Sequence, residues 1–389
     1  MLNPLSNAFG LDIGDRSYKL VQLGRPRRSG GQYRLKAWGI VDVPEGVMDN
    51  GNIVDRAKAA ELVNKLVKSS VGHVSGRTVV ACLPETKTFI KVIETKPNET
   101  DDQVVSAVLK EIEENIPLPK EEIYYDWQVM KPDRLPANGS GAVSRTKDNR
   151  DAPAETADSR QDMTPTRVLI GAAPKQLVDD FTAMIDLAGL APAVFEIEAM
   201  AISRAILPLQ KEPASAVGLL DIGATRSSLI IYDRGTIQMS LSIPISGAEI
   251  TEIISRKLKV SLDDAEKLKR ECGLDANRCE DKIWRVLLPQ IDDMTLKIRN
   301  ALRFYKIGFP HGSDIERLLV TGGGANFREI DSVLSRKLTI KVERADPLTN
   351  VRRPVPKRFP SDSALTYVTA IGLAVRAADE TSTGLKGLH

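Results

Sequence analysis

Two acidic turns of the same sequence, Leu11-Asp12-Ile13-Gly14 and Leu220-Asp221-Ile222-Gly223, lie in the two halves of the chain. Each follows an apolar run typical of a buried strand, and each ends in a glycine that permits a tight backbone turn. Amide groups in such a turn can face an anion, while the aspartate can hold the water shell of a magnesium ion bound to phosphate. A single copy is more typical of a plain β-turn. Two copies predict a phosphate site built from two sides.

A third glycine cluster and a lysine extend this pattern. Gly322, Gly323 and Gly324 follow an apolar run and precede a predicted helix, so their backbone can come close to a base or a phosphate. Lys19 lies seven residues after Asp12 and is placed to reach a β- or γ-phosphate as a point charge. An exposed strand lysine is the competing interpretation. The sequence contains no GxxxxGK[ST] motif, so the pattern is not a P-loop.

The elements around each acidic turn occur in the same order. In the first half, apolar patterning predicts strands over Phe9–Ile13, Ser17–Gly24 and 33–43. In the second half, 227–232 and Thr236–Ile243 predict a hairpin directly after the second turn. A strand, an acidic glycine turn and two further strands begin each half. This order is typical of an internally duplicated α/β protein.

Amphipathic helices connect and cover these strands. The apolar spacing predicts helices at 55–69, 101–115, 176–188, 199–205, 248–258, 262–270, 283–305 and 327–338. Further strands are predicted at 78–83, 88–94, 123–129, 166–172, 193–197 and 317–321. Residues 131–165 are rich in Pro, Asn, Ser, Asp and Arg, so we expect a disordered or mobile loop there. A tolerated surface insertion is favoured over a binding element.

Length and charge exclude some classes of protein. The 389 residues are too many for one ordinary core, so we expect two or three domains with a cleft between them. Lys and Arg number 54 and Asp and Glu number 52, and this near balance gives no support to nucleic-acid binding.

The sequence also predicts a compartment. It has no secretory signal pattern and no apolar run long enough to span a membrane, and its last residues lack an amphipathic pattern. Cys82, Cys272 and Cys279 are too few for a disulfide framework, so we expect three unbridged, small buried residues in a reducing compartment. The prediction is a cytoplasmic protein without direct membrane insertion, which reaches a membrane only through a partner.

Three segments in this order resemble a known set of motifs. Residues 10–14, 220–225 and 320–325 resemble the phosphate 1, phosphate 2 and adenosine motifs of the actin, Hsp70 and sugar-kinase ATPase superfamily. Within it, the chain is most similar to the PilM family of type IV pilus assembly proteins, relatives of the division protein FtsA. Segments 188–205 and 246–258 and the Ala265-Glu266-x-x-Lys269 phrase add to this resemblance, which covers most of the chain outside the 131–165 loop.

The resemblance implies a fold and a division into domains. The fold is a duplicated actin-like (RNase H-like) α/β ATPase fold with an inserted FtsA-type 1C interaction subdomain. The implied parts are lobe I at 1–77, the inserted subdomain at 78–190, a connecting strand and helix of lobe I at 191–212, lobe II at 213–350, and a return to lobe I with the tail at 351–389.

The resemblance further implies ATP and Mg²⁺ as cofactors and gives each matching residue a role. Asp12 and Asp221 match the aspartates that organise magnesium. The remaining matches are Gly14, Ser17 and Lys19 in the first phosphate loop, Gly223, Ala224 and Thr225 in the second, Glu266 and Lys269 on the helix facing ribose and adenine, and Gly322, Gly323 and Gly324 in the adenosine loop. The acidic residue that orients the attacking water is Glu196 or Glu198, with Glu196 preferred.

Some positions also favour other interpretations. Asp15 stands where actin has a small hydroxyl residue, and its charge would oppose a γ-phosphate unless it points away. Ala224 supplies no carboxylate to the second loop, so nucleotide binding is better supported than turnover, and any ATPase activity is at most weak. Glu266 and Lys269 are also what a solvated helix face with a weak ion pair contains.

The implied partner is the short cytoplasmic N-terminal segment of a PilN-like bitopic inner-membrane protein, held beside the inserted subdomain. Other pilus assembly components and self-association are further implied contacts. Two alternatives stay open at this point. An FtsA-like division scaffold would need a C-terminal amphipathic membrane helix, which the sequence lacks. A small-molecule kinase of the same superfamily would need an acceptor-site aspartate, and no such residue is identifiable.

Overall fold

The computed structural model describes residues 5, 7–26, 31–97, 99–130, 166–309 and 312–379. The strands, in chain order, are β1 (Phe9–Ile13), β2 (Ser17–Gly24), β3 (Arg34–Asp42), β4 (Met48–Asp49), β5 (Asn52–Ile53), β6 (Thr78–Leu83), β7 (Phe89–Thr95), β8 (Ile123–Val129), β9 (Thr166–Pro174), β10 (Ala191–Ile197), β11 (Ala216–Ile222), β12 (Ser227–Asp233), β13 (Thr236–Ile243), β14 (Ile315–Thr321) and β15 (Lys341–Arg344). The helices are α1 (Arg56–Ser69), α2 (Asp101–Asn115), α3 (Lys175–Leu187), α4 (Glu198–Ile206), α5 (Gly247–Leu258), α6 (Leu262–Cys272), α7 (Lys282–Gly308), α8 (Ile330–Leu338) and α9 (Val368–Ala378). The loop expected at 131–165 lies outside the described residues.

Two five-stranded sheets of the same topology form the two lobes. The sheet of lobe I has the order β10-β6-β1-β2-β3, and that of lobe II has the order β15-β14-β11-β12-β13. In each sheet the acidic strand pairs antiparallel with the strand that follows it and parallel with a later one. The duplication predicted from the repeated sequence is therefore present in the strand pairing as well.

The two acidic turns also have the same local geometry. In the first, the Gly14 amide donates to the Ser17 carbonyl at 3.2 Å, and in the second the Gly223 amide donates to the Arg226 carbonyl at 2.9 Å. A Cβ atom on Gly223 would lie 2.5 Å from the Arg226 carbonyl oxygen, so a larger residue would open this turn. Each turn thus places its aspartate at the end of a central strand, facing the space between the lobes.

Helix α9 is an element that the sequence patterning did not predict. It packs against β1, β2 and α4, and it is buried on every side. A Cβ atom on Gly10 would lie 2.5 Å from the Ala370 carbonyl oxygen, and one on Gly372 would lie 1.8 Å from that of Ala201. A helix that is buried on every side has no solvent-exposed polar face, which is why the spacing of apolar residues did not reveal it.

The structure corrects the boundaries of the inserted subdomain. β6 lies inside the sheet of lobe I, between β1 and β10, and α3 packs against α1 in the core of the same lobe. The separate unit comprises β7, α2, β8 and β9, a three-stranded sheet of order β7-β9-β8 with its own small core. Its described residues lie at 85–97, 99–130 and 166–174, whereas β6 and α3, which the 78–190 boundaries had included, belong to lobe I. β6 is buried along most of its length, as is typical of a strand in a parallel sheet.

Two further expectations concern cysteines and membranes. Cys272 and Cys279 form a disulfide between the end of α6 and the turn before α7, with a Cα to Cα distance of 5.9 Å. The expectation of three unbridged cysteines is therefore wrong for this pair, whereas Cys82 is free and buried. Within the described ranges, no helix combines the length and apolarity needed to cross a bilayer.

Candidate functional site

The space between the lobes contains two adjoining cavities. The larger, of about 860 Å³, lies between α5, α6 and the glycine turn after β14. The smaller, of about 380 Å³, lies between the two acidic turns. Both are lined by Gly223, Ala224 and Gly323, so they are two parts of one cleft.

This cleft brings together all of the sequence-predicted site residues except one. The smaller cavity is lined by Asp12, Gly14, Ser17, Lys19, Asp221, Gly223, Ala224, Thr225, Gly322 and Gly323. The larger is lined by Gly223, Ala224, Glu266, Lys269, Gly323 and Gly324. The exception is Glu196.

The third glycine turn lies directly on the second acidic turn. Gly322 has a φ of 80°, and a Cβ atom there would lie 2.5 Å from Asp221 Oδ1. A Cβ atom on Gly324 would lie 2.2 Å from the Ile222 side chain. Only glycine combines this left-handed backbone with so close an approach. The turn after β14 therefore forms a thin wall between the aspartate and the larger cavity.

Lys19 is paired with the first aspartate. The two residues face each other across β1 and β2, and Lys19 Nζ lies 2.9 Å from Asp12 Oδ2. Burial by itself lowers the pKa of Lys19, but the charge of Asp12 and its hydrogen bond outweigh this, and the net shift is upward. Lys19 is therefore a buried ammonium at the floor of the smaller cavity rather than an exposed strand lysine.

Asp15 points across the cleft to the opposite lobe. Its carboxylate accepts hydrogen bonds from the Gly51 amide at 2.7 Å and from Thr225 Oγ1 at 2.7 Å. It also pairs with the Arg226 guanidinium at 3.3 Å. The Asp15 carboxylate, which we expected to oppose a γ-phosphate, thus bonds the first acidic turn to the second.

Acidic side chains surround the smaller cavity. Burial, followed by the charge of Asp12, raises the pKa of Asp221, and Lys19 and Arg226 partly oppose this shift. Burial, followed by the charges of Asp221 and Asp12, also raises the pKa of Glu198. A bound cation would relieve both shifts, because it favours the ionised carboxylates.

The structure corrects the preference for Glu196 as the residue that orients water. Its carboxylate is held by Arg204, with contacts of 2.6 and 2.8 Å, and by Arg376 at 2.8 Å. These contacts join β10 to α4 and α9, and they leave no oxygen directed at either cavity. Glu198, the first residue of α4, lines the smaller cavity instead. Of the two alternatives, only Glu198 can contact a ligand in the cleft.

The acidic residues suit a hydrated magnesium ion. Across the described part of the chain, no three His, Cys, Asp or Glu side chains are close enough to hold an ion directly. Asp12, Glu85, Glu198 and Asp221 line the smaller cavity, and each belongs to a different element. All are hard oxygen donors, which Mg²⁺ prefers, and their separation suits an ion that keeps most of its water shell.

Glu266 and Lys269 form part of the wall of the larger cavity. Glu266 accepts from Lys269 at 2.6 Å and from Thr251 Oγ1 at 2.7 Å, and Lys269 donates to the Gly247 carbonyl at 2.9 Å. These bonds tie α6 to α5. The start of α5 is in turn bonded to the second acidic turn through the Gly247 amide and the Gly223 carbonyl at 3.0 Å. The pair is thus more than a solvated helix face.

Comparison with known proteins identifies the family. A family model described as type IV pilus assembly protein PilM matches residues 10–141 and 155–378. This chain belongs to the PilM family. A solved structure of a PilM-PilN type IV pilus biogenesis complex contains a chain with 25% identity and a TM-score of 0.75, and the match covers 97% of this chain and 100% of that one. The prediction of the PilM family from the sequence is confirmed.

More distant relatives agree with the actin-like fold of the PilM family. The division protein FtsA of Bacillus subtilis (strain 168) is 22% identical over 278 residues, which is 71% of this chain and 58% of that protein. FtsA of Neisseria meningitidis serogroup B is 28% identical over 130 residues, or 33% of this chain and 31% of that protein. The chain thus spans less than two thirds of these relatives. The ethanolamine utilization protein EutJ of Carboxydothermus hydrogenoformans has a TM-score of 0.52 at 15% identity, covering 94% of this chain and 88% of that one. The predicted fold class is confirmed.

Proposed function

We propose that this PilM-family chain is an ATP-binding scaffold of type IV pilus assembly. The observation that carries the proposal is the convergence of both acidic turns and the third glycine turn on one cleft. The smaller cavity, with Lys19 and the carboxylates, receives the phosphates and a hydrated Mg²⁺, and the larger receives the adenosine. Magnesium, when bound there, would neutralise charge on the phosphates. Asp12 and Asp221 would hold its water shell from the two lobes, and ATP binding would thereby favour one angle between the lobes.

The proposal includes slow turnover at most. Glu198 lines the smaller cavity, and it is the carboxylate that we expect to accept a proton from a water molecule there once a bound cation keeps it ionised. Ala224, beside the second acidic turn, has only a methyl side chain, so it supplies no hydroxyl or carboxylate to assist Glu198.

We further propose that the inserted subdomain binds the N-terminal cytoplasmic peptide of a PilN-like bitopic protein, which holds the chain at the inner face of the membrane. The PilM-PilN complex among the similar structures supports this partner. We also propose that the chain contacts other pilus assembly components and associates with itself. The chain then acts in the cytoplasm as a nucleotide-dependent scaffold.

Calorimetry with ATP tests the nucleotide site. The double variant Asp12→Asn, Asp221→Asn keeps the shape of both side chains, and we expect it to lower ATP affinity in Mg²⁺ by about a hundredfold, since two charge-assisted contacts of about 1.5 kcal/mol each are lost. A double change of exposed aspartates, Asp293→Asn with Asp314→Asn, is the control. ATP affinity that is unchanged in the first double variant contradicts the proposed site.

A further inference from the structure

Glu85 is a half-buried acidic residue of the cleft that belongs to none of the repeated motifs. It begins the 3₁₀ turn Glu85–Lys87, which connects β6 of lobe I to β7 of the inserted subdomain. Both of its carboxylate oxygens are buried, and neither has a hydrogen-bond partner among the residues that the structure describes. An unpaired buried carboxylate is costly and calls for an explanation.

The surroundings of Glu85 indicate what kind of ligand it faces. Burial is the main cause that raises its pKa to about 7, and Asp221 adds to this rise. The neighbouring Ser228 hydroxyl and the charge of Arg226 act in the opposite direction. A bare phosphate would be repelled by this carboxylate. A cation with hydrogen-bond donors, such as hydrated Mg²⁺, would pair with it.

We propose that Glu85 contacts the cofactor in this cleft, by accepting hydrogen bonds from the water shell of the magnesium ion that accompanies the nucleotide. Through this contact, occupancy of the cleft orders the start of β7 and so reaches the inserted subdomain. The inference rests on the proposed nucleotide binding and adds to it a contact from outside the two lobes.

The path from Glu85 into the inserted subdomain is short. Thr86, Thr88, Phe89 and Ile90 follow it and also line the smaller cavity. Arg226 Nη1 lies 3.3 Å from Thr86 Oγ1, and the same guanidinium pairs with Asp15. β7 pairs along its whole length with β9, the central strand of the subdomain sheet. We therefore expect that ordering of the Glu85–Lys87 turn also orders β7 and the subdomain sheet that contains it.

Calorimetry with E85Q, E85D and the control E113Q tests the contact. Glu113 is an exposed glutamate on α2 of the same subdomain. In Mg²⁺ we expect E85Q to bind ATP about tenfold more weakly, because a hydrogen bond to a charged group is lost, and E85D to lie between E85Q and the native protein. In EDTA we expect E85Q to bind ATP at least as tightly as the native protein, because one negative charge near the phosphates is gone. E113Q should behave as the native protein in both media.

Hydrogen exchange gives a second measurement that does not depend on affinity. Saturating ATP with Mg²⁺ should slow amide exchange over residues 86–95 in the native protein and in E113Q, and should do so far less in E85Q. The nucleotide-free E85Q should melt no lower than the native protein, because the change removes an unpaired buried charge.

The outcomes separate this inference from the proposed function. Equal changes of E85Q affinity in Mg²⁺ and in EDTA, or the same protection of 86–95 in E85Q as in the native protein, would overturn the role of Glu85 while ATP binding stands. Absence of ATP binding by the native protein would overturn both.

Discussion

Asp15 should hold the two lobes together when no nucleotide is bound. Its side chain, of which 5% is exposed, follows the first acidic turn, and its carboxylate bonds to Thr225 and Arg226 beside the second. The test is a double-mutant cycle of Asp15→Ala and Thr225→Val, read from urea unfolding of the nucleotide-free protein. Valine keeps the shape of threonine and removes only the hydroxyl donor.

The expected coupling follows from the contacts. The 2.7 Å bond from Thr225 Oγ1 is charge-assisted, and such bonds are worth about 1.5–3 kcal/mol. Asp15→Ala also removes the bond from the Gly51 amide and leaves Arg226 without this partner. We therefore expect the single variant Asp15→Ala to lose about 2–4 kcal/mol of unfolding free energy. The coupling between Asp15 and Thr225 should be about 1.5 kcal/mol or more.

A control pair and a clear contrary result complete this test. Thr182 donates to the Val178 carbonyl within α3, so Thr182→Val combined with Asp15→Ala should be additive. Additive effects of Asp15→Ala and Thr225→Val, within about 0.5 kcal/mol, would refute the bridging contact. Tighter ATP binding by Asp15→Ala with unchanged stability would show instead that Asp15 only repels the phosphates.

Two further predictions separate the acidic residues around α4. Glu196→Gln should lower the free energy of unfolding by about 3–5 kcal/mol in urea, because it leaves Arg204 and Arg376 buried without their carboxylate, and it should leave ATP affinity unchanged. Between the ordinary and the raised pKa of Glu198 and Asp221, the folded chain binds more protons than the unfolded chain, so the melting temperature without nucleotide should fall as pH rises from 5 to 8. Glu198→Gln should flatten this slope, each tenfold change in proton affinity being worth about 1.4 kcal/mol; an unaltered slope would mean that Glu198 does not titrate there.

The parts of the site that the sequence predicted are those where a local signal and the fold coincide. Asp12 and Asp221 are each the last but one residue of a central strand, and the glycine two residues later makes the same turn in both lobes. Because the two sheets have the same topology, a repeat in the sequence becomes a pair of facing turns in space. Strand boundaries such as those of β1 and β2 were predicted without error for the same reason.

The parts that were missed depend on distant contacts. Glu196 and Glu198 lie two residues apart, but the first is near the end of β10 and bonded to Arg376, and the second begins α4 at the cavity. No local pattern reveals that difference. Glu85 shows no motif either, and its position follows from the parallel pairing of β6 with β1, residues that are far apart in the chain. Its place after an apolar strand was the available signal.

The attachment of the inserted subdomain has a consequence for how the molecule can move. The subdomain is joined covalently to lobe I at β6 and at α3. Two hydrogen bonds join it to lobe II: Arg226 contacts Thr86, and Arg167 donates to the Arg234 carbonyl at 3.1 Å. A change in the angle between the lobes must therefore break these bonds to lobe II or bend the chain near residue 85. Closure of the cleft and the position of the subdomain are then linked. For the proposed ATP site, a partner that binds the subdomain in only one position must change ATP affinity by the same factor by which ATP changes the affinity for that partner.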